Sequence, residues 1–146
     1  MARRSTSPQI IRYTAGDIRV LISSDDTAGA MSMIETVSAP GRGPTWHCHS
    51  REDEFFYVIY GVAEVRVGEE IYRCEAGDRV VGPRNIFHTY RNIGDTDLKM
   101  ILVYTLGGFE HAFADATEML AKGKDQTDVG RMLTEHHGLT RGQMPS

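Results

Sequence analysis

From Ile10 to Leu106 the sequence runs as short β-branched and aromatic segments, each stopped by turn residues within a few positions. Ile18–Ile22 is broken by Asp25–Gly29, and Met31–Val37 by the glycine- and proline-rich stretch Ala39–Pro44. Phe55–Tyr60 ends at Gly61, after which Ala63, Val65 and Val67 alternate with Glu64 and Arg66. That period of two is the signature of a half-buried strand. Gly68–Glu70 reads as a hairpin turn into Ile71–Arg73, and Glu75–Asp78 as a second turn before Val80 and Val81. Asn92–Asp97 then separates Phe87–Tyr90 from the apolar run Met100–Leu106. Strands at this spacing, with no helical stripe between them, predict an all-β sandwich or barrel.

The pattern changes after Gly107 and Gly108. Phe109, Phe113, Ala116 and Leu120 fall on one helical stripe that Gly123 can stop. Val129, Met132, Leu133 and His136 form a second, ended by Gly138. The expected division is a flexible tail at 1–9, a β-barrel at 10–108, two short C-terminal helices within 109–138 and a flexible tail at 139–146. A length of 146 residues fits one domain, and 40% hydrophobic residues suffice for a core. The net charge of −4 gives no attraction to phosphate backbones, so no nucleic acid partner is expected. No apolar stretch reaches the roughly 18–20 residues that span a bilayer. Arg3 and Arg4 precede the polar Ser5–Gln9 instead of an apolar signal core, so no membrane and a cytoplasmic location are expected.

Six histidines and two cysteines carry the possible chemistry. His47 and His49 are two apart, so on a strand their imidazoles share a face and can converge on one ion. Cys48 then points the other way and reads, like Cys74, as a small packed residue. A carboxylate should complete the set, and local spacing leaves Glu52, Asp53 and Glu54 all open. Ser50–Asp53 looks like a turn, and a turn resets strand parity. His136 and His137 adjoin on a helix and do not face one site, so they read as surface or packing residues. Glu110 and His111 read as first-turn helix residues.

Two longer patterns resemble the two motifs of the cupin family. The first is Gly41-x5-His47-x-His49-x4-Glu54-x6-Gly61, and the second is Gly77-x5-Pro83-x-Asn85-x2-His88-x3-Asn92. The resemblance implies a single-domain cupin, a conical antiparallel β-barrel or jelly roll, with His47, His49, Glu54 and His88 as metal ligands. It also selects Glu54 over its two neighbours. The family usually has Gly where Asn85 stands, and Asn tolerates the positive φ such a turn needs.

Three imidazoles and one carboxylate suit one divalent transition metal ion: Fe, Mn, Ni, Co or Zn. Four protein ligands on an octahedral ion leave two positions for water, substrate or dioxygen. By strand parity, Phe56, Val58 and Tyr60 go with Glu54, while Tyr90 and Asn92 go with His88. These five are the expected pocket or second-shell residues. Among single-barrel cupins the chain is most similar to quercetin dioxygenase-like proteins, which follow the barrel with Gly-Gly-Phe-Glu and two helices, as Gly107–Glu110 does here. The resemblance implies a dioxygenase acting on an enol or phenol-like small molecule, with Glu54 also as proton acceptor. The alternatives are a metal-dependent cyclase, isomerase or lyase without O₂, or a non-catalytic binding module. Family precedent implies a homodimer.

Overall fold

The computed structural model describes residues 10–13 and 16–146. The expected tail at 1–9 lies outside the described residues. The chain runs β1 (Ile10–Tyr13), β2 (Gly16–Ile22), a 3-10 turn (Ser24–Thr27), β3 (Ser32–Ser38), β4 (His47–His49) and β5 (Asp53–Tyr60). It continues through β6 (Ala63–Val67), β7 (Glu70–Cys74), β8 (Arg79–Gly82), β9 (His88–Asn92) and β10 (Leu98–Thr105). Helices α1 (Glu110–Ala121) and α2 (Gln126–His137) follow, then β11 (Leu139–Arg141). Two antiparallel sheets result, in strand orders β1-β2-β3-β10-β5-β8 and β11-β4-β9-β6-β7.

Burial follows the alternation read from the sequence. Leu98, Met100, Leu102 and Tyr104 of β10 point inward, as do Phe56 and Val58 of β5 and Ala63 and Val65 of β6. Each large apolar side chain buried this way contributes roughly 1.5–3 kcal/mol. The turns use the residues their backbones require. Asn85 adopts φ 64, as expected of the family's turn glycine, and its N–H donates to His49 O at 2.7 Å. Among the described residues, no helix is long and apolar enough to cross a membrane.

The two helices form where their stripes predict. Ala112 and Ala116 of α1 and Val129 and Leu133 of α2 are buried, and Phe109 meets Phe113 edge to face at 5.4 Å. Asp125 caps α2 by accepting from the Thr127 and Asp128 amides. Gly138, at φ 68, ends it. One expectation fails at this point. Residues 139–141, read as part of a loose tail, pair as β11 with β4, in register Leu139↔His49 and Arg141↔His47. The left-handed turn at Gly138 returns the chain to the sheet edge, and a three-residue strand is too short to leave a periodic signal.

Glu110 fastens α1 to the barrel. Its Oε1 accepts from Ser24 N at 2.6 Å and its Oε2 from Gly108 N at 2.8 Å, in a buried position. Burial opposes its ionisation, but the hydrogen bonds from Ser24 outweigh that and hold the carboxyl below its ordinary value. The folded-state value is depressed, so the stabilisation is complete above pH 4.5 and is lost as the pH falls below it. Glu110→Gln should destabilise the fold by about 1–3 kcal/mol at neutral pH. Urea denaturation at several pH values should show the gap between wild type and variant narrowing in acid.

Candidate metal centre

The turn at Ser50–Glu52 carries the chain from one sheet to the other, and this crossing builds the site. His47 and His49 lie on β4, and His88 lies directly across from His47 on β9 of the same sheet. Glu54 lies on β5 of the facing sheet. The two sheets therefore present three imidazoles and one carboxylate to the same interior point. The Nε2 atoms of His47, His49 and His88 lie 3.7, 3.2 and 2.9 Å from Glu54 Oε2. All four side chains are buried, and one ligand atom from each lies within 4.8 Å of the others.

Backbone carbonyls fix two of the ring tautomers. His47 Nδ1 is 2.7 Å from Thr45 O, and His88 Nδ1 is 2.9 Å from Ile86 O. A carbonyl only accepts, so Nδ1 carries the proton and a neutral ring turns its Nε2 lone pair inward. Those lone pairs face the carboxylate, an arrangement that a cation between them would satisfy. His49 gives the same indication more directly. Glu52 Oε2 and Glu54 Oε2 lie 3.3 and 3.2 Å from its two ring nitrogens, yet neither nitrogen has hydrogen-bond geometry with any partner. The donor set and its spacing fit one divalent ion at the usual ligand distances of about 2.0–2.2 Å.

The electrostatics agree. Burial opposes ionisation of Glu54, but the three imidazoles beside it hold its carboxyl well below the usual range. Burial also works against protonation of His49, yet Glu52 and Glu54 push it up to about 9. His47 moves the other way, because desolvation outweighs its contact with Glu54 and favours the neutral ring. The cluster thus stabilises positive charge while keeping His47 available as a neutral donor.

The three carboxylates left open by local spacing take three different roles. Glu54 faces the histidines. Asp53 points the opposite way and forms an ion pair with Arg84, with Arg84 N and Nε at 2.9 and 3.2 Å from Oδ1 and Nη2 at 3.1 Å from Oδ2. This pair ties the β8–β9 loop to β5. Glu52, only 5% exposed, stands behind His49. Tyr104, not anticipated from the sequence, is the direct partner of Glu54 in the β10–β5 register. Its hydroxyl donates to Glu54 Oε1 at 3.0 Å. Burial first, and then the Glu54 charge, push its phenol well above the usual range, so it keeps its proton at neutral pH. Gly82 leaves the space His88 needs, because a Cβ there would stand 3.0 Å from His88 Nδ1.

A cavity of about 500 Å³ opens beside the cluster, with His47, Glu54 and Tyr104 in one wall and Phe109, Phe113 and Leu133 in another. Of the five expected pocket residues, Tyr90 lines it, and its hydroxyl lies 3.4 Å from Thr36 Oγ1. Phe56 is buried with its ring 5.7 Å from that of His88, so it supports the site without reaching the cavity, and Val58 belongs to the core. Tyr60 is 43% exposed. The β10–β5 register shifts between Lys99 and Met100, and the bulge at Ile59 turns Tyr60 outward. Asn92 is buried, but it clamps the backbone by donating to Ser38 O and Thr96 O at 2.9 and 2.8 Å. His137 pairs with Asp115 at 2.7 Å between the two helices, and His136 is exposed. Cys48 faces away from the cluster, as strand parity requires.

Comparison with known proteins agrees with this architecture. A family model of the cupin domain matches residues 34–104. SchB of Streptomyces halstedii is 35% identical over 98 residues, which covers 66% of this chain and 69% of SchB. The polyketide synthase protein CurC of Streptomyces cyaneus is 33% identical over 92 residues, 62% of this chain and 59% of CurC. The structure of the polyketide cyclase RemF from Streptomyces resistomycificus superposes with a TM-score of 0.62 at 16% identity, over 73% of this chain and 80% of RemF, a likeness of fold. The two-sheet barrel, the inward histidines and these matches together place the chain in the cupin superfamily.

Proposed function

We propose that this cupin holds one divalent metal ion on His47, His49, Glu54 and His88 and promotes cyclisation of an oxygen-rich, polyketide-like small molecule. The observation that carries the reading is the meeting of a buried His₃Glu cluster with a cavity of about 500 Å³ whose other walls are mostly apolar and aromatic. CurC, a polyketide synthase, supports a polyketide-like ligand, and the fold it shares with the polyketide cyclase RemF favours cyclisation over the dioxygenase that leads the sequence reading. A bound ion would supply Lewis-acid polarisation of a substrate carbonyl. The chain's own groups account for the rest. Glu54, ionised at neutral pH, accepts a proton from a methylene flanked by two carbonyls. The resulting enolate carbon attacks a second carbonyl of the same molecule, and the proton returns to the new alkoxide. That hydroxyl then leaves as water with the second hydrogen of the former methylene as the new C=C bond forms. Tyr104 positions Glu54 through Oε1, and the aromatic wall holds the chain folded and keeps bulk water out. A cytoplasmic location is part of this proposal.

Elemental analysis of protein purified without chelator should find close to one transition metal ion per chain. His49→Ala and His88→Ala should lose it, and the exposed His136→Ala should keep it. Full metal content in the triple His47, His49, His88→Ala variant would refute the assignment.

The reaction class is tested with a linear poly-β-ketone offered to the metal-loaded protein under air and under argon. Cyclised, dehydrated product at equal rates in both gases is the expected result. Metal-dependent oxygen uptake would instead support the dioxygenase, and tight binding without turnover the sensor module. Tyr104→Phe should lower the cyclisation rate by roughly 10–100-fold, the usual effect of removing a ligand's hydrogen-bond partner.

The homodimer belongs to the same proposal. The outer face of the six-stranded sheet exposes Phe55, Tyr57 and Val81, with Phe55 and Val81 paired across β5 and β8, and a second copy of this chain would cover it. Light scattering should give twice the chain mass, and Tyr57→Glu should halve it. A monomeric wild type would exclude the dimer.

A further inference from the structure

β11 does more than close a sheet edge. Facing residues of an antiparallel pair project from the same side, so the register Arg141↔His47 sets the Arg141 side chain beside a proposed metal ligand. Both residues line the cavity. The guanidinium is steadied by neutral groups from two other elements. Nη2 lies 3.4 Å from Tyr13 Oη on β1, and Nη1 lies 3.2 Å from Gln126 Oε1 and 3.4 Å from Gln126 O at the start of α2. Among the described residues Arg141 has no carboxylate partner, which it shares with Arg42, Arg51, Arg66, Arg79 and Arg91, but of these Arg141 alone lines the cavity. These contacts use only part of its five-donor fork, and beyond Tyr13 and Gln126 the cavity wall is mostly apolar. A half-buried guanidinium in such a place is suited to pair with an anionic oxygen group.

We propose that Arg141 is a specificity-determining residue that binds the acidic end of the substrate, which makes the preferred ligand a polyketide-sized molecule that carries a carboxylate at the end away from its reacting carbons. This rests on the cavity being the substrate site and does not require that the reaction be a cyclisation. Arg141 and the metal cluster then address different parts of one ligand. Arg141 takes the acid group, and the cluster takes the oxygens at the reacting carbons.

The test compares 2-naphthoate with 2-naphthol, which share a ring system and differ in charge at neutral pH. Calorimetric titration of zinc-loaded protein, repeated after chelation, separates Arg141 from any contribution of the ion. Wild type should prefer naphthoate in both states. Arg141→Gln should weaken naphthoate about tenfold or more, leave naphthol within about twofold, and keep its metal content and melting temperature. Arg141→Lys, which keeps the charge but loses the fork, should fall between the two. If wild type binds the two probes equally, or Arg141→Gln weakens both alike, Arg141 only braces α2 against the barrel and the proposal is overturned. Charge discrimination that depends on Arg141 but comes without cyclisation would remove the catalytic reading and leave this one standing.

Discussion

The buried charge of Glu54 is the constraint around which the barrel interior is organised. An ionised carboxylate away from water costs several kcal/mol unless partners compensate it. Here three imidazoles face one oxygen and the Tyr104 hydroxyl binds the other. Those groups belong to β4, β9 and β10, so the carboxylate on β5 ties together strands from both sheets. The arrangement is complete only with positive charge in its midst, because the imidazole lone pairs and the carboxylate would otherwise oppose each other. A protonated His49 supplies such charge, and a divalent ion held by the four side chains could supply it in its place.

Groups that never face the cluster's centre hold it in place. The Thr45 and Ile86 carbonyls set the tilt and tautomer of His47 and His88. Asp53 and Arg84 lock the loop that leads into β9. The left-handed Asn85 lets that same loop donate back to His49 O, which couples β4 to the second motif through backbone alone. The precision of the ligand set therefore comes from main-chain carbonyls and an ion pair at the barrel rim, with the apolar core behind them supplying rigidity.

How far the sequence could be read follows from how far its alternation runs unbroken. His47 and His49 sit on one strand, and their shared face follows from parity. Glu54 does not, because the chain changes sheets between His49 and Asp53, and only the motif resemblance could choose it over Glu52 and Asp53. Tyr60 shows the same limit from within a strand, since one bulge at Ile59 reverses the side predicted for it. Asn92 and Val58 are buried, but facing inward does not mean reaching the cavity, and neither of these expected pocket residues lines it. Tyr104 and Arg141 are out of reach because their importance depends on cross-strand partners far away in sequence, Glu54 in one case and His47 in the other.

The C-terminal segment ties the chemistry to its cover. Phe109, Phe113 and Leu133 roof the cavity, and β11 then returns along β4 to place Leu139 and Arg141 beside His49 and His47. The roof cannot swing away from the barrel without disturbing the strand that carries two of the four candidate ligands. Glu110 and Gly138 fix its two ends, one by hydrogen bonds to Ser24 and Gly108, the other by a left-handed turn packed against Ser50 and Arg51. Walls anchored in this way favour recognition by fixed groups over closure of a mobile lid. The cavity's polarity is set in advance, with the cluster and a single guanidinium as the charged features in a mostly apolar and aromatic chamber. A ligand of the proposed kind, acidic at one end and oxygenated at the other, would be oriented by that distribution.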